Sequence, residues 1–443
     1  MKRKSGHMDM EILSLGEKIK RKRKELNMTL KDLAGDRITP GQISLVESGK
    51  SNPSMDLLEY LAQSLNTTVE YLMESEESQA EKICTFFENI AEAHMLEEDL
   101  IKSEQYIERA LYYAEKYNLE YTRGRTLFLR GKIHMLKSEM ALAQQLFLSA
   151  NVIFIKHNRH EEVINTFLNL GIITLELKAY HSSSTYFQQA EKVFLDNNVG
   201  NDFLIGQIYY YIAYTFFKLE QIDKSIKYSY IAQEKFKQLN DKKEYAKSLL
   251  LLSEQYSKKD DMESAIKYSK KALSIFKEMH DVKNISSIEN NLGKLFSDFG
   301  NVDEAFIHLE RAKILRNNNK DPKLIDTLIT MCQNYIKLKD IKRSKEILEE
   351  IMSEVQNGNK RALVQYYLLK FRIDMQEENF IEAENTLIIA LNFAKSMNYL
   401  KESAEISMMI GKFYMDKGDE VSAAKYLNDG VDIFKELGII SYL

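Results

Sequence analysis

The chain has 443 residues, too long for one compact core, so several domains or a repeat array are expected. Only three prolines (Pro40, Pro53 and Pro322) and 17 glycines punctuate it, which favours long helices over strands and turns. The net charge of −5 balances 61 Lys+Arg against 66 Asp+Glu, and no apolar run approaches membrane-spanning length. The basic opening MKRKSGHM leads into no apolar signal-type stretch, so a cytoplasmic location is expected. Cys84 and Cys332 both lie in apolar helical patterns and suit a reducing compartment.

The head comes first. Its charge differs from the remainder: residues 1–73 hold 12 Lys+Arg against 10 Asp+Glu, and the remainder carries the acidic excess. Lys18, Lys20, Arg21, Lys22, Arg23 and Lys24 place six positive charges in seven positions, a polyanion-binding pattern on an acidic bulk. The spacing predicts a basic amphipathic helix from Leu15 to about Leu26, then a short helix at residues 29–34. Thr39 as N-cap, Pro40 at the first helical position and Gln42 three after the cap predict a capping box opening a third helix. A fourth runs from Asp56 to Leu65 with Leu57, Leu58, Leu61 and Leu65 apolar, and the module closes at Leu72-Met73. Residues 74–78, Glu-Ser-Glu-Glu-Ser, read as a polar linker, giving a head at 10–73, a linker at 74–82 and a third region at 83–443.

The head resembles the Cro/repressor class of helix-turn-helix domains, through Leu33-Ala34, Ile43-Ser44, Glu47, Gly49-Lys50 and Asn52-Pro53-Ser54. The resemblance implies that the helix opening at Thr39 is the recognition helix, with its N-terminal residues toward base edges in the major groove. It also implies that Arg23 and Glu47 form a structural ion pair. Pro40 and Gly41 bring no side-chain donors, so base contacts would fall to Gln42, Ser44 or Thr39, supplemented by DNA shape. Phosphate contacts are expected from backbone amides at the capped helix starts, Thr29, Thr39, Lys50 and Ser51. The implied DNA-binding set is Thr29, Lys31, Thr39, Gly41, Gln42, Ser44, Leu45, Lys50 and Ser51.

Residues 83–443 carry an internal repeat. Ala110, Ala150, Ala190, Ala232, Ala272, Ala312, Ile351, Ala390 and Gly430 recur at intervals of 39 to 42 residues. Nineteen positions before each stand Ala91, Gly131, Gly171, Ala213, Ser253, Gly293, Cys332, Phe371 and Gly411, of which eight are small. Small residues paired at a constant offset predict two closely crossing helices per unit, stacked into a solenoid. Phe154, Phe194, Phe236, Phe276 and Phe434, four after their anchors, share the packing face. The pattern resembles the tetratricopeptide repeat, most directly at Leu170-Gly171 with Ala190 and Leu292-Gly293 with Ala312. The period near 40 exceeds the family's usual 34, and Lys370-Phe371 departs from its Leu-Gly pair. The expected fold is therefore all-α: a helix-turn-helix domain, then a right-handed α-solenoid of about nine helix pairs.

In tetratricopeptide proteins the first helix of each pair lines the concave face. The resemblance thus offers Arg125, Lys132, Asn165, Asn169, Gln207, Tyr210, Tyr211, Tyr214, Lys247, Asn290, Asn291 and Lys294 as a peptide-binding set. Asn and Gln amides pair with both groups of an extended peptide backbone, and tyrosines supply contact area at low entropic cost. The tyrosines equally suit packing between units. No catalytic, cofactor or metal site is expected: Ser44 stands where a phosphate loop ending at Gly49-Lys50-Ser51 needs glycine, and His-Glu-x-x-His is absent.

The combination of the two regions is similar to the peptide-pheromone-responsive regulators of Gram-positive bacteria, of the PlcR and NprR type. That resemblance implies a non-enzymatic, homodimeric transcriptional regulator binding a palindromic double-stranded operator and a short signalling peptide, with no membrane partner. The rival is an adaptor, or a response-regulator phosphatase of the Rap kind, that grips a folded protein on the same face. The apolar tail Ile439-Ile440-Ser-Tyr-Leu443 is expected to cap the last repeat or join a dimer contact.

Overall fold

The computed structural model describes residues 11–356 and 360–438, apart from the side chain at 361. These residues form helices joined by short connections, in two compact units, Met1–Gln221 and Ile222–Leu443.

The first unit opens with the head: α1 (Leu15–Glu25), α2 (Leu30–Ala34), α3 (Pro40–Glu47), α4 (Met55–Ser64) and α5 (Val69–Met73). Capping boxes start the first three helices, pairing Ser14 with Glu17, Thr29 with Asp32, and Thr39 with Gln42. Ile19, Leu33, Ala34, Ile43, Val46, Leu61, Leu65 and Leu72 form the core. Helices α1 and α3 cross so closely that a Cβ on Gly16 would lie 2.5 Å from the Val46 carbonyl oxygen.

Seven array helices complete this unit: α6 (Glu76–Leu96), α7 (Leu100–Lys116), α8 (Glu120–Leu136), α9 (Met140–Lys156), α10 (His160–Glu176), α11 (Tyr180–Asn197) and α12 (Asp202–Lys218). The second unit holds α13 (Ile222–Gln238), α14 (Lys242–Lys258), α15 (Met262–Glu278), α16 (Val282–Asp298), α17 (Val302–Asn318) and α18 (Leu324–Lys337). It continues through α19 (Ile341–Gln356), α20 (Lys360–Gln376), α21 (Phe380–Ser396), α22 (Leu400–Asp416) and α23 (Glu420–Glu436).

The period near 40 comes from helix length. Helices α8 and α9 have 17 residues each, and each is followed by a three-residue connection. A left-handed residue closes most array helices, among them Glu98, Asn118, Ser138, Asn158 and Lys178. After α8, for instance, the Glu139 N–H reaches back to the His134 carbonyl at 2.9 Å, a Schellman closure that reverses the chain in minimal length. Asn317 and Asn318 belong to α17, and residues 319–323 connect it to α18.

The small residues sit at helix crossings. A Cβ on Gly131 would lie 2.9 Å from the Phe147 ring, one on Gly293 2.5 Å from Leu309, and one on Gly171 would overlap Phe187. Each ring or leucine stands three before its anchor, so the missing side chain in one helix makes room for a large one in the next. Ser103 and Ser183 reinforce the crossing, donating to the Ala91 and Gly171 carbonyls at 2.9 Å. The eighth pair forms despite its irregular sequence: Lys370 at the leucine position donates to Asp374 and Thr386 at 3.0 Å, while Phe371 packs edge-on to Phe413.

One expectation changes. The linker at 74–82 is mostly helix, because Ser75 caps α6 and Glu76 and Glu77 occupy its positive first turn. The tail at 439–443 lies outside the described residues.

Candidate nucleic-acid interface and inner face of the array

Helix α3 buries Ile43 and Val46 in the head's core. At helical spacing its opposite face carries Gly41 and Ser48, flanked by Ser44 and Leu45. All nine residues of the expected DNA-binding set are exposed: Thr29, Lys31, Thr39, Gly41, Gln42, Ser44, Leu45, Lys50 and Ser51. Several of their polar atoms are already engaged. Gln42 Oε1 accepts from the Thr39 N–H at 3.0 Å and from the Thr39 hydroxyl at 3.2 Å, leaving Gln42 only amide donors for a base edge. The Thr29 N–H is bound to Asp32 at 2.8 Å, so the first backbone amides at both caps are spent. The Lys50 N–H is spent too, on the Leu45 carbonyl at 2.9 Å, and its ammonium group remains for a phosphate.

The basic run of α1 is not one patch. Lys18 is 1% exposed, and its Nζ donates to the Tyr71 and Glu74 carbonyl oxygens at 2.8 and 2.7 Å. Burial pushes the Lys18 ammonium below its ordinary pKa, while the Glu74 carboxylate acts in the opposite sense. Arg23 forms the fork expected of it, holding Glu47 at 2.6 and 2.9 Å and the Met28 carbonyl at 2.9 Å. Arg21 and Lys22 pair with Glu25 on the surface. Only Lys20 and Lys24 of the six have no carboxylate partner among the described residues.

The head is wired to the array. Gln79, in the second turn of α6, accepts from the Leu13 N–H at 3.1 Å and donates to the Leu13 carbonyl at 2.9 Å. Ile12 packs on Ile83, Cys84, Phe87 and Ala110 of α6 and α7. Glu74, whose carbonyl holds Lys18, pairs its carboxylate with Lys82 of α6 at 2.6 Å. The head and α6 therefore share polar and apolar contacts on both sides of the junction.

Within each unit the first helices of the pairs approach one another: α6 meets α8, α10 meets α12, α16 meets α18 and α18 meets α20. Even-numbered helices thus form the more closely spaced layer, where the peptide-binding set was expected. In the first unit, Arg125 of α8 grips the buried Glu88 of α6 at 2.6 Å, and Thr126 donates to the same carboxylate at 2.8 Å. Burial raises the Glu88 pKa, with Arg125 partly offsetting it. Lys132 stands over the Phe128 ring. Asn165 and Asn169 are half-buried one turn apart, and the Asn169 amide donates to the Asn165 carbonyl at 2.7 Å.

On α12, Gln207, Tyr210, Tyr211 and Tyr214 are half-buried. Tyr211 stacks on Phe187 with ring centroids 5.2 Å apart, and Tyr210 stacks on Tyr214 at 6.5 Å. Tyr211 therefore has the packing role anticipated as the alternative. In the second unit, Lys247 pairs with Glu244 at 2.6 Å, and Asn291 and Lys294 are exposed. Asn290 is a correction: it is 3% exposed, and its Oδ1 is buried without a partner. Helix α16 packs against α15, α17 and α18.

The helix-turn-helix family model matches residues 19–72. The head is a helix-turn-helix domain. The tetratricopeptide repeat model matches residues 246–278, which span most of α14 and all of α15. The apo form of RapI shares the fold at 13% identity, with a TM-score of 0.61 over 81% of this chain and 99% of that one. The apo quorum sensor NprR from B. thuringiensis aligns at 13% identity and a TM-score of 0.56, over 80% of this chain and 99% of NprR. Aspartyl phosphate phosphatase F from Bacillus subtilis aligns at 16% identity and a TM-score of 0.53, covering 83% and 97%. No curated protein sequence matches the chain. The array is a solenoid of helix pairs of the kind these proteins share.

Two further observations bear on chemistry. Both cysteine thiols of the array are pushed up to about 12, by burial above all, so neither is a ready nucleophile. Among the described residues no cluster of three His, Cys, Asp or Glu could hold a metal, and no helix is long and apolar enough to cross a membrane. The helix-turn-helix joint was missed by sequence reading. Its signal was there: Lys18 falls in phase with Leu15 and Ile19 on the buried stripe of α1, where a solvated lysine does not belong.

Proposed function

We propose that this protein is a DNA-binding transcriptional regulator whose array senses a short peptide and thereby sets operator affinity. The observation carrying the reading is the joint between the helix-turn-helix head and α6, made through Lys18, Gln79 and Ile12. A head hung on a slack tether would ignore the array. Here a displacement of α6 moves the carbonyl that holds α1. The amide and tyrosine groups on α10 and α12 support an extended peptide as ligand, and NprR, which shares the fold, is a quorum sensor.

The regulator acts as a homodimer, since one small head covers a half-site and two-fold symmetry matches a palindromic operator. It works by binding and not by catalysis. Salt-dependent binding of the full chain to duplex DNA tests the reading. Each neutralised phosphate contributes about −0.9 to the slope of log K against log salt, so a slope of several is expected and a slope near zero rejects it.

A further inference from the structure

We infer that Leu45 is the residue by which this recognition helix discriminates bases, and that it does so by covering the 5-methyl group of thymine. The inference rests on the reading of the head as DNA-binding. The outward face of α3 carries no charged side chain, because its single acid, Glu47, is held by Arg23. Its polar groups are largely committed. Thr39 and Gln42 bind one another in the capping box, and the Ser48 hydroxyl donates to the Leu45 carbonyl at 3.1 Å. Ser44 is exposed, but a hydroxyl both donates and accepts, so it distinguishes bases weakly.

Leu45 stands apart from these. It is 46% exposed, the one large apolar side chain exposed on α3. A helical side chain leans toward the N-terminus and covers the turn before its own Cα. For Leu45 that turn is Gly41, which has no side chain, and a Cβ there would meet nothing closer than Thr39 Oγ1 at 3.9 Å. Gly41 therefore leaves the space in front of Leu45 open at the N-terminal half of α3, the part that approaches base edges in this class of domain. In the major groove the one apolar feature of any base is the thymine methyl. A leucine placed there gains from a thymine and leaves polar base edges desolvated elsewhere.

The test uses the full-length protein and its Leu45→Ala variant, each selecting from a pool of randomised duplexes. Each thymine of the enriched duplex is then replaced in turn by deoxyuridine, which lacks only the methyl group. The wild type should enrich a motif with one thymine per half-site whose replacement weakens binding about fourfold, the worth of about one buried methylene. Leu45→Ala should bind the thymine and deoxyuridine duplexes alike, with an unchanged melting temperature because the side chain is exposed. Equal wild-type affinity for both duplexes, or discrimination that persists in Leu45→Ala, overturns the inference while leaving DNA binding intact. Failure of the wild type to enrich any motif or to bind with salt dependence overturns the DNA-binding reading, and this inference with it.

Discussion

The Nζ of Lys18 lies 2.7 Å from the carbonyl oxygen of Glu74, so the first helix of the head is bonded to the residue just before the array. A lysine with 1% exposure is costly to bury, and this one is retained by two carbonyls and the Tyr71 ring at 5.2 Å. Replacing it by methionine keeps the stem and removes every donor. The Tyr71 and Glu74 carbonyls then lose their partner, a cost of about 1–3 kcal/mol. Lys18→Met should raise amide hydrogen exchange at α1, α5 and the first turns of α6, and leave α14 to α18 unaffected. Wild-type exchange at α5 would show that the joint does not depend on Lys18.

Gly171→Leu tests the helix crossing. A side chain there runs into Phe187, and overpacking a tight contact costs about 1–3 kcal/mol. Ala190→Leu should act similarly, since Ala190 is fully buried in the partner helix. Both variants should melt below the wild type, with faster exchange concentrated in α10 and α11. Two unchanged melting temperatures would contradict the crossing.

Glu88 gives a pH dependence with a definite sign. Its pKa lies above 4.5 in the folded protein, because burial disfavours its charge more than Arg125 and Thr126 favour it. The native state then holds the proton more tightly than the unfolded chain. Its contribution to stability grows as pH falls through the folded pKa toward 4.5 and is lost as pH rises above it. Wild type should therefore gain stability relative to Glu88→Gln as the pH is lowered from neutral to 4.5. Urea unfolding of both proteins at the two pH values checks this, and a constant difference between them would contradict it.

On the head, Lys50→Ala should weaken DNA binding on every sequence alike and reduce the salt slope by about 0.9. Gln42→Ala should cost stability through the lost capping box, about 0.5–2 kcal/mol. It should change base preference less than its place on the recognition helix suggests, because Oε1 is committed to Thr39. Binding measured across single-base variants of a selected duplex separates the two effects.

What the sequence made legible was periodic. The pairing of Gly171 with Ala190 predicted a crossing, and α10 and α11 cross there. Thr39-Pro40 with Gln42 predicted a helix start, and α3 starts at Pro40. These signals are local or repeat at a constant offset. The joint is neither: Lys18 meets Glu74 across 56 residues and Leu13 meets Gln79 across 66, with no repeat to expose the pairing. The basic run misled for a related reason, since counting charges along α1 ignores that Lys18 turns inward. Asn290 is buried where the sequence suggested an accessible amide, because helical spacing gives a position on the helix but not what packs over it.

In the proposed function, ligand on the array controls DNA binding by the head. The most direct test is the affinity of the full-length protein for a selected duplex, with and without the small-peptide fraction from cultures of cells carrying this chain. A shift of about 5–150-fold is expected, the usual range of coupling between sites. The shift should disappear in Asn165→Ala or Asn169→Ala, with ligand-free DNA binding preserved. An affinity that is the same with and without the fraction, measured on protein that binds the duplex, would contradict it.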